Sequence, residues 1–375
     1  MLAVTFQKPY EVAISTVEKP KIQEPTDAIV KVSLAGLCGS DLHPYRGAEK
    51  GLDPMTIMGH EFVGTIVEVG DQVKGFQVGD RVGSGFTTCC GECWYCSRGL
   101  TCRCEKGQLY GWKSQGKGLE GGQAEYVRVP LASGSLLKLP DAIEDEEAIL
   151  LGDILSTGFF CAMNGFSALT EMEASEAIVV VIGCGPVGML ACIGAKEYGA
   201  KQVFVVDSVN ERLQVAADRF GATPLNLSQD VDAAVKSATG GRGADIVLEV
   251  VGHSSALELA YTVMRPGGVL SSVGVHTAPT WPFTPGDGYD KNLTYRSGRC
   301  PSRAMMDKLL PVLISKKYDV TSIISHRVPI TDAVEMAKAG ERKRNDMREH
   351  KWVLDGMGHF GHWGFQECWP WTTGQ

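Results

Sequence analysis

The run Val179-Val180-Val181-Ile182 leads directly into Gly183-Cys184-Gly185-Pro186-Val187-Gly188, a Gly-x-Gly-x-x-Gly pattern followed by the helix-like stretch MLACIGAKEYGA. Each glycine has a physical part in gripping a pyrophosphate. Gly183 permits a tight turn, Gly185 lets the backbone approach the anion, and Gly188 lets helix and strand pack closely. Pro186 and Val187 complete the loop, and the helix start adds free N–H groups and a partial positive charge. A second apolar run, residues 203–206, ends in Asp207, 19 positions beyond Gly188. A carboxylate there accepts hydrogen bonds from the adenosine ribose and repels a 2′-phosphate, so the spacing predicts NAD(H) rather than NADP(H). Arg212 close by leaves room for a looser cofactor choice. The bland alternative is a glycine turn with no ligand.

A second constellation is metallic in character. Of 12 cysteines, six (Cys89, Cys90, Cys93, Cys96, Cys102 and Cys104) fall in one short segment, while the others stand apart at 38, 161, 184, 192, 300 and 368. Four thiolates at Cys90, Cys93, Cys96 and Cys104 can wrap one zinc tetrahedrally, with Zn–S distances of about 2.3 Å and no position left for a substrate. Such a site is a structural staple. Cys89 and Cys102 lie beside the set, and the 90/93/96/104 register is preferred because it keeps two even Cys-x2-Cys steps.

The third set is dispersed: Cys38 in GLCGSDLH, His60 in GHE and Asp153 in GDILSTG. A thiolate, an imidazole and a carboxylate would leave a fourth position open, as a catalytic zinc requires. Singly, each has a plain structural reading: a small core cysteine, a satisfied core histidine, a helix N-cap. Spacing alone does not assemble them.

The elements that must position these residues are of two textures. The first third consists of short alternating runs, such as residues 28–32, 65–69 and 124–129, broken by Gly, Asp and Pro; it reads as a small antiparallel barrel or sandwich. From about residue 156 the pattern changes to continuous apolar runs (178–182, 203–206, 246–251 and 268–273), each followed by a helix-like stretch. Strands buried on both faces and alternating with helices predict a parallel sheet of βαβ units. Past residue 292 the pattern is mixed, with helical stretches expected at 303–315 and 331–338.

Composition narrows the classes. With 375 residues the chain has length for two domains, and 44% hydrophobic content is that of a globular protein despite 45 glycines. Lys and Arg total 36 and Asp and Glu 44, a net charge of −8, which gives no general attraction for nucleic acid or anionic membranes. Residues 177–195 carry no charge, but Gly183, Gly185, Pro186 and Gly188 would break a membrane-spanning helix. The first residues lack a basic then apolar leader pattern, so a cytoplasmic location is expected. The ending GMGHFGHWGFQECWPWTTGQ, with Trp363, Trp369, Trp371, His359 and His362, reads as a tail that packs its aromatics on the body or on another subunit.

Taken in order, these motifs resemble one family. Gly59-His60-Glu61-x2-Gly64-x5-Gly70-x2-Val73 resembles the signature of zinc-containing alcohol dehydrogenases of the medium-chain dehydrogenase/reductase superfamily. The Cys38 segment, the four-cysteine lobe, Gly122-Gln123-Ala124-Glu125-Tyr126, the Asp153 segment and the Gly183 fingerprint follow in the family's order across roughly residues 1–320.

The resemblance implies a mixed α/β chain: a GroES-like, mostly β catalytic domain (1–155 and 292–375, with a zinc lobe at about 88–105) interrupted by a doubly wound Rossmann NAD-binding domain (156–291). It implies two zincs per chain, one structural and one held by Cys38, His60 and Asp153. Glu61 resembles the acid beside that metal, Ser40 and His43 the hydroxyl and histidine of a proton relay, and Thr157 a residue near the nicotinamide. Val250, Val251, Gly274 and Val275 sit where the family's backbone meets the cofactor, and Arg299 or Lys351 would reach its pyrophosphate. Having Asp at position 153 suggests a subfamily similar to some bacterial secondary-alcohol and formaldehyde dehydrogenases.

The function so implied is NAD-linked interconversion of a small-molecule alcohol with an aldehyde or ketone by a homodimer or homotetramer, with neither nucleic acid nor membrane as partner. A zinc-independent reductase of the same fold, or a non-catalytic NAD(H)-binding module, would need fewer of these residues. Tyr45, Met55, Trp112 and Trp281 are the bulky candidates for a substrate cleft.

Overall fold

Two sheets organise the chain, of which the computed structural model describes residues 1–335 and 351–355. Strand Ile178–Ile182, buried at every position, lies inside a six-stranded parallel sheet. Its order is Thr223–Asn226, Gln202–Asp207, Ile178–Ile182, Ala244–Glu249, Met264–Ser272 and Thr294–Ser297. Alternate side chains of the central strand enter different cores. Val179 and Val181 join Leu155 and Leu190 from helices Ile154–Phe166 and Pro186–Glu197, whereas Val180 and Ile182 join Val235 and Leu257 on the opposite face. A strand covered on both sides has no polar face to display, which is why the sequence here is a continuous apolar run. Each such side chain contributes about 1.5–3 kcal/mol on burial.

The chain builds outward from Ile178–Ile182 to one edge, then returns to Ala244–Glu249 and builds to the other. Strand order therefore reverses beside Ile178–Ile182. In open α/β sheets, the crevice beyond the carboxyl ends of the strands at such a reversal is where ligands bind.

The second sheet is mostly antiparallel and is centred on Ala28–Leu37, which pairs with Phe62–Val69, Tyr126–Val129 and Lys351–Asp355. Its register sets Leu37 opposite Trp352 and Ala35 opposite Phe62. Cys38, His60-Glu61 and Lys351 are thereby delivered to one end of the sheet from three distant parts of the sequence.

The observed limits differ from the expected ones in two places. Helix Ile154–Phe166 runs across the expected boundary at 155/156 and packs on Pro186–Glu197, so that boundary cuts through a helix. Thr294–Ser297 extends the parallel sheet beyond 291 by pairing with Met264–Ser272. As an edge strand it needs no continuous apolar run, and its polar composition concealed it. The helix expected at 303–315 is Ser302–Ile314. The stretch expected as a helix at 331–338 begins in a 3-10 turn, Ile330–Asp332, and its last residues lie outside the described ones, as do the Trp-rich ending, His359, His362 and Cys368.

Among the described residues no single helix is long and apolar enough to cross a membrane. Asp145–Leu151 and Ile154–Phe166 reach that length only together, across a 47° bend, and their apolar residues belong to the largest core cluster.

Candidate active site

A single cleft of about 1340 Å³ lies between the two sheets and is lined by residues of both. On the parallel-sheet side, Gly183 turns the chain at φ +100°, and a Cβ on Gly188 would stand 1.8 Å from the Gly183 carbonyl oxygen. Both glycines are thus demanded by the chain itself. Gly185 is different, because a Cβ there would meet nothing within 4 Å. Nothing among the described residues requires this glycine, and its open face fronts the cleft at the N-terminus of Pro186–Glu197, where a bound anion would need the backbone exposed. Asp207 ends its strand in the same cleft. Its Oδ2 accepts the Cys184 N–H at 2.7 Å and its Oδ1 the Val209 N–H at 3.0 Å, with an Arg212 Nη1 4.0 Å from Oδ2. Val251, Gly274 and Val275 line the cleft just past the ends of strands Ala244–Glu249 and Met264–Ser272.

On the opposite wall, one donor atom from each of Cys38, His60, Glu61 and Asp153 lies within 4.8 Å of the other three. The Asp153 Oδ2 accepts from Cys38 Sγ at 3.2 Å and lies 3.4 Å from His60 Nε2, while Thr157 Oγ1 donates to Oδ1 at 3.0 Å. The resemblance put Thr157 near the nicotinamide; it lines the cleft, and its hydroxyl is spent on fixing Asp153.

The electrostatics of these donors suit a cation. Burial opposes charge on His60, but Asp41, Cys38 and Asp153 outweigh it and pull the ring well toward imidazolium. Burial pushes the Cys38 thiol up. Burial would also raise the Asp153 carboxyl, yet His60, Lys351 and Cys38 hold it down at about 2. The Glu61 Oε1 is buried with no hydrogen-bond partner. A thiol, an imidazole and two carboxylates converging around one point, one carboxylate oxygen still unsatisfied, form a chemically suitable donor set for zinc.

One supporting residue escaped the sequence reading. Asp41 lies 3.2 Å from His60 Nδ1 through Oδ1, and its Oδ2 accepts the Cys38 N–H at 3.0 Å and Gln123 Nε2–H at 3.1 Å. It therefore orients two donors at once, the arrangement typical of a carboxylate behind a metal-ligating histidine. Its position three residues after Cys38 was the available signal.

Lys351 corrects an expectation. Its side chain is 2% exposed, and its Nζ donates to Glu61 Oε2 and, at 3.1 Å, to the Leu37 carbonyl. An ammonium committed in this way is not free to hold a pyrophosphate. Burial acts to lower the Lys351 pKa, but the charges of Glu61, Cys38 and Asp153 outweigh it and raise it. Gly36 makes the pair possible, since a Cβ there would overlap Glu61 Oε2 at 1.8 Å.

Ser40, His43, Arg299, Trp112 and Trp281 also line the cleft, whereas Tyr45 and Met55 do not. Among the described residues, no hydrogen bond directly joins Ser40 to His43.

Away from the cleft, the Sγ atoms of Cys90, Cys93, Cys96 and Cys104 lie within 4.8 Å of one another, all as free thiols. Backbone N–H groups already point at this cluster: that of Cys93 donates to Cys90 Sγ at 3.3 Å and that of Cys90 to Cys104 Sγ at 3.2 Å. Four sulfurs so gathered fit a structural zinc. Cys89 and Cys102 turn away, to the carbonyls of Gly134 and Arg299.

Comparison with known proteins agrees with both walls of the cleft. Residues 24–141 match the Alcohol dehydrogenase GroES-like domain and residues 186–315 the Zinc-binding dehydrogenase family. The Zinc-type alcohol dehydrogenase B of Aspergillus flavus is 46% identical over 89% of this chain and 77% of its own length. The chain belongs to the zinc-dependent alcohol dehydrogenase family of the medium-chain dehydrogenase/reductase superfamily.

Two solved structures place this zinc-type dehydrogenase within the fold. Alcohol dehydrogenase TADH from Thermus sp. ATN1 is 39% identical, superposes with a TM-score of 0.87 and covers 95% of this chain and 99% of its own. A short chain alcohol dehydrogenase from E. coli CFT073, solved with NADH, is 28% identical with a TM-score of 0.77, and covers 95% and 99%. The architecture is accordingly a GroES-like domain joined to a Rossmann domain, and the protein is an oxidoreductase.

Proposed function

We propose that this oxidoreductase interconverts a small-molecule alcohol and its aldehyde or ketone, using NAD and two zinc ions per chain. The observation that carries the reading is the shared cleft: the glycine turn and Asp207 open onto the same space as the Cys38, His60 and Asp153 donors, with Glu61 buried just behind them. The names of the A. flavus and Thermus relatives and the NADH held by the E. coli protein support it.

Cys38, His60 and Asp153 would hold the catalytic zinc, and Cys90, Cys93, Cys96 and Cys104 the structural one. The catalytic zinc supplies Lewis-acid polarisation of the substrate oxygen, and NAD the hydride acceptor or donor. The chain's own residues do the rest. Asp41 and Thr157 fix the orientation of His60 and Asp153, so that the donor set is preorganised. Glu61, pinned by Lys351, holds a carboxylate oxygen close behind the Cys38, His60 and Asp153 donors. Ser40 is placed on the cleft wall to accept the alcohol's proton, and His43, on the same wall but not bonded to it directly, to release a proton to solvent. Asp207 accepts the ribose hydroxyls and disfavours a 2′-phosphate, while Gly183, Gly185, Pro186, Val187 and Gly188 carry the pyrophosphate and Val251, Gly274 and Val275 flank the ring.

A screen of NAD+ and NADP+ reduction against primary, secondary and polyol substrates tests the proposal, with aldehydes assayed in reverse with NADH. Turnover with NAD+ that is abolished by a zinc chelator and restored by zinc is the expected result. Activity insensitive to metal removal would refute the zinc-dependent step, and silence across the whole panel would refute the reaction class.

A further inference from the structure

Behind the cleft wall on the parallel-sheet side lies a carboxylate that the reaction scheme leaves unused. Glu249 closes strand Ala244–Glu249 and is fully buried. Each of its oxygens meets two donors. Oε1 accepts the backbone N–H groups of Val251 at 2.8 Å and Gly252 at 2.7 Å, and Oε2 accepts the Ser272 hydroxyl at 2.7 Å and lies 2.9 Å from His276 Nε2. Because Oε2 is an acceptor, the proton of that last bond sits on Nε2. The ring is further placed by Ser272 Oγ, 3.1 Å from the same nitrogen.

The groups that Glu249 grips flank two unusual side chains. Val251 is 51% exposed and Val275, the neighbour of His276, is 55% exposed, and both face the cleft. β-branched apolar residues are ordinarily buried, and two of them presented together need a reason. The loops that carry them touch backbone to backbone. A Cβ on Gly274 would stand 2.1 Å from the Gly252 nitrogen, and one on Gly252, whose φ is +82°, would stand 2.6 Å from the nitrogen and oxygen of Val275. Two adjacent loops are thus clamped into one unit, with Glu249 as the bolt beneath and the valines as the upper surface.

We propose that Glu249 and His276 act as positioning residues, a buried clasp that holds Val251 and Val275 as an apolar ledge for the planar ring of a bound dinucleotide. This rests on the dinucleotide reading of the cleft. Freeing His276 releases one side of the ledge while leaving the zinc donors, Asp207 and the glycine turn in place. Loss of a charge-assisted hydrogen bond of this kind corresponds to roughly a tenfold change in an equilibrium constant.

The test is a fluorescence titration of the full-length, zinc-loaded enzyme with NADH. In H276L the dissociation constant for NADH should rise roughly tenfold, with zinc content and KM for the alcohol unchanged. H276Q, whose amide N–H reaches a similar position, should restore tight binding. Should H276L fold poorly, H276N, too short to reach Oε2, replaces it with the same expectation. An H276L or H276N protein that is less thermostable but binds NADH as tightly as the parent would overturn the proposal and reduce the clasp to a structural contact. A parent enzyme that binds no NADH would instead refute the cofactor reading on which the clasp depends.

Discussion

Replacing Lys351 with Met isolates the buried ion pair beneath the donor set. Lys351 and Glu61 are 2% and 0% exposed, and the Glu61 Oε1 already lacks a hydrogen-bond partner, so among the described residues Lys351 is the main cationic compensation for that carboxylate. Removing one member of a buried pair leaves an uncompensated charge and costs about 3–5 kcal/mol, whereas replacing both by neutral groups of similar size is close to neutral. K351M should therefore be destabilised by about 3–5 kcal/mol, and adding E61Q to it should recover most of that loss. Urea unfolding followed by tryptophan fluorescence is the assay, because Trp352 is adjacent in the chain and stacks on His326 at 4.0 Å, reporting on this sheet edge. The penalty should be largest with a chelator present, since zinc offers Glu61 a second cation. A single mutant within about 0.5 kcal/mol of the parent, or a double mutant no better than the single, would refute the reasoning.

Three further outcomes follow from the geometry. D207S removes the carboxylate that faces the ribose, so the preference for NAD+ over NADP+ in kcat/KM should fall roughly tenfold or more, and an unchanged ratio would free Asp207 of that role. H60A should lower the zinc measured per chain from two to one, while C93S should lose the other zinc and destabilise the lobe; equal loss of both metals in either variant would contradict two independent sites. After chelation, Cys93 should be the first cysteine alkylated, since backbone N–H groups of Glu105 and Cys96 lower its thiol to about 6, whereas burial lifts Cys89, Cys161 and Cys192 to about 12. The sign is fixed by the thiolate being the nucleophile: the rate rises as pH passes upward through about 6 and falls below it, and peptide mapping after iodoacetamide treatment reads it.

What the sequence made legible was what is encoded locally. The four-cysteine lobe is closed by spacings of a few residues, and the glycine turn is flanked by the strand and helix that give it meaning. Ile178–Ile182 declared itself because a strand buried on both faces must be apolar throughout, while Thr294–Ser297, at the sheet edge, carried no such constraint. The donor set could be named only by resemblance, since Cys38 and Asp153 are 115 residues apart and come one from the end of strand Ala28–Leu37 and the other from the start of helix Ile154–Phe166. Lys351 was misread for the same reason. Its partner Glu61 is 290 positions away, and only the register of Lys351–Asp355 beside Ala28–Leu37 brings the two together. Glu249 and His276 were invisible because nothing in their own segments distinguishes a clasp from ordinary polar residues at strand ends.

The most direct test of the central claim is the fate of the hydride. The zinc-loaded enzyme, incubated with NAD+ and primary, secondary or polyol alcohols deuterated at the carbinol carbon, should place deuterium on C4 of the nicotinamide for at least one alcohol, as NMR of the recovered NADH would show. Finding no deuterium in the cofactor from any of these alcohols would contradict the assignment of this cleft to NAD-linked alcohol oxidation.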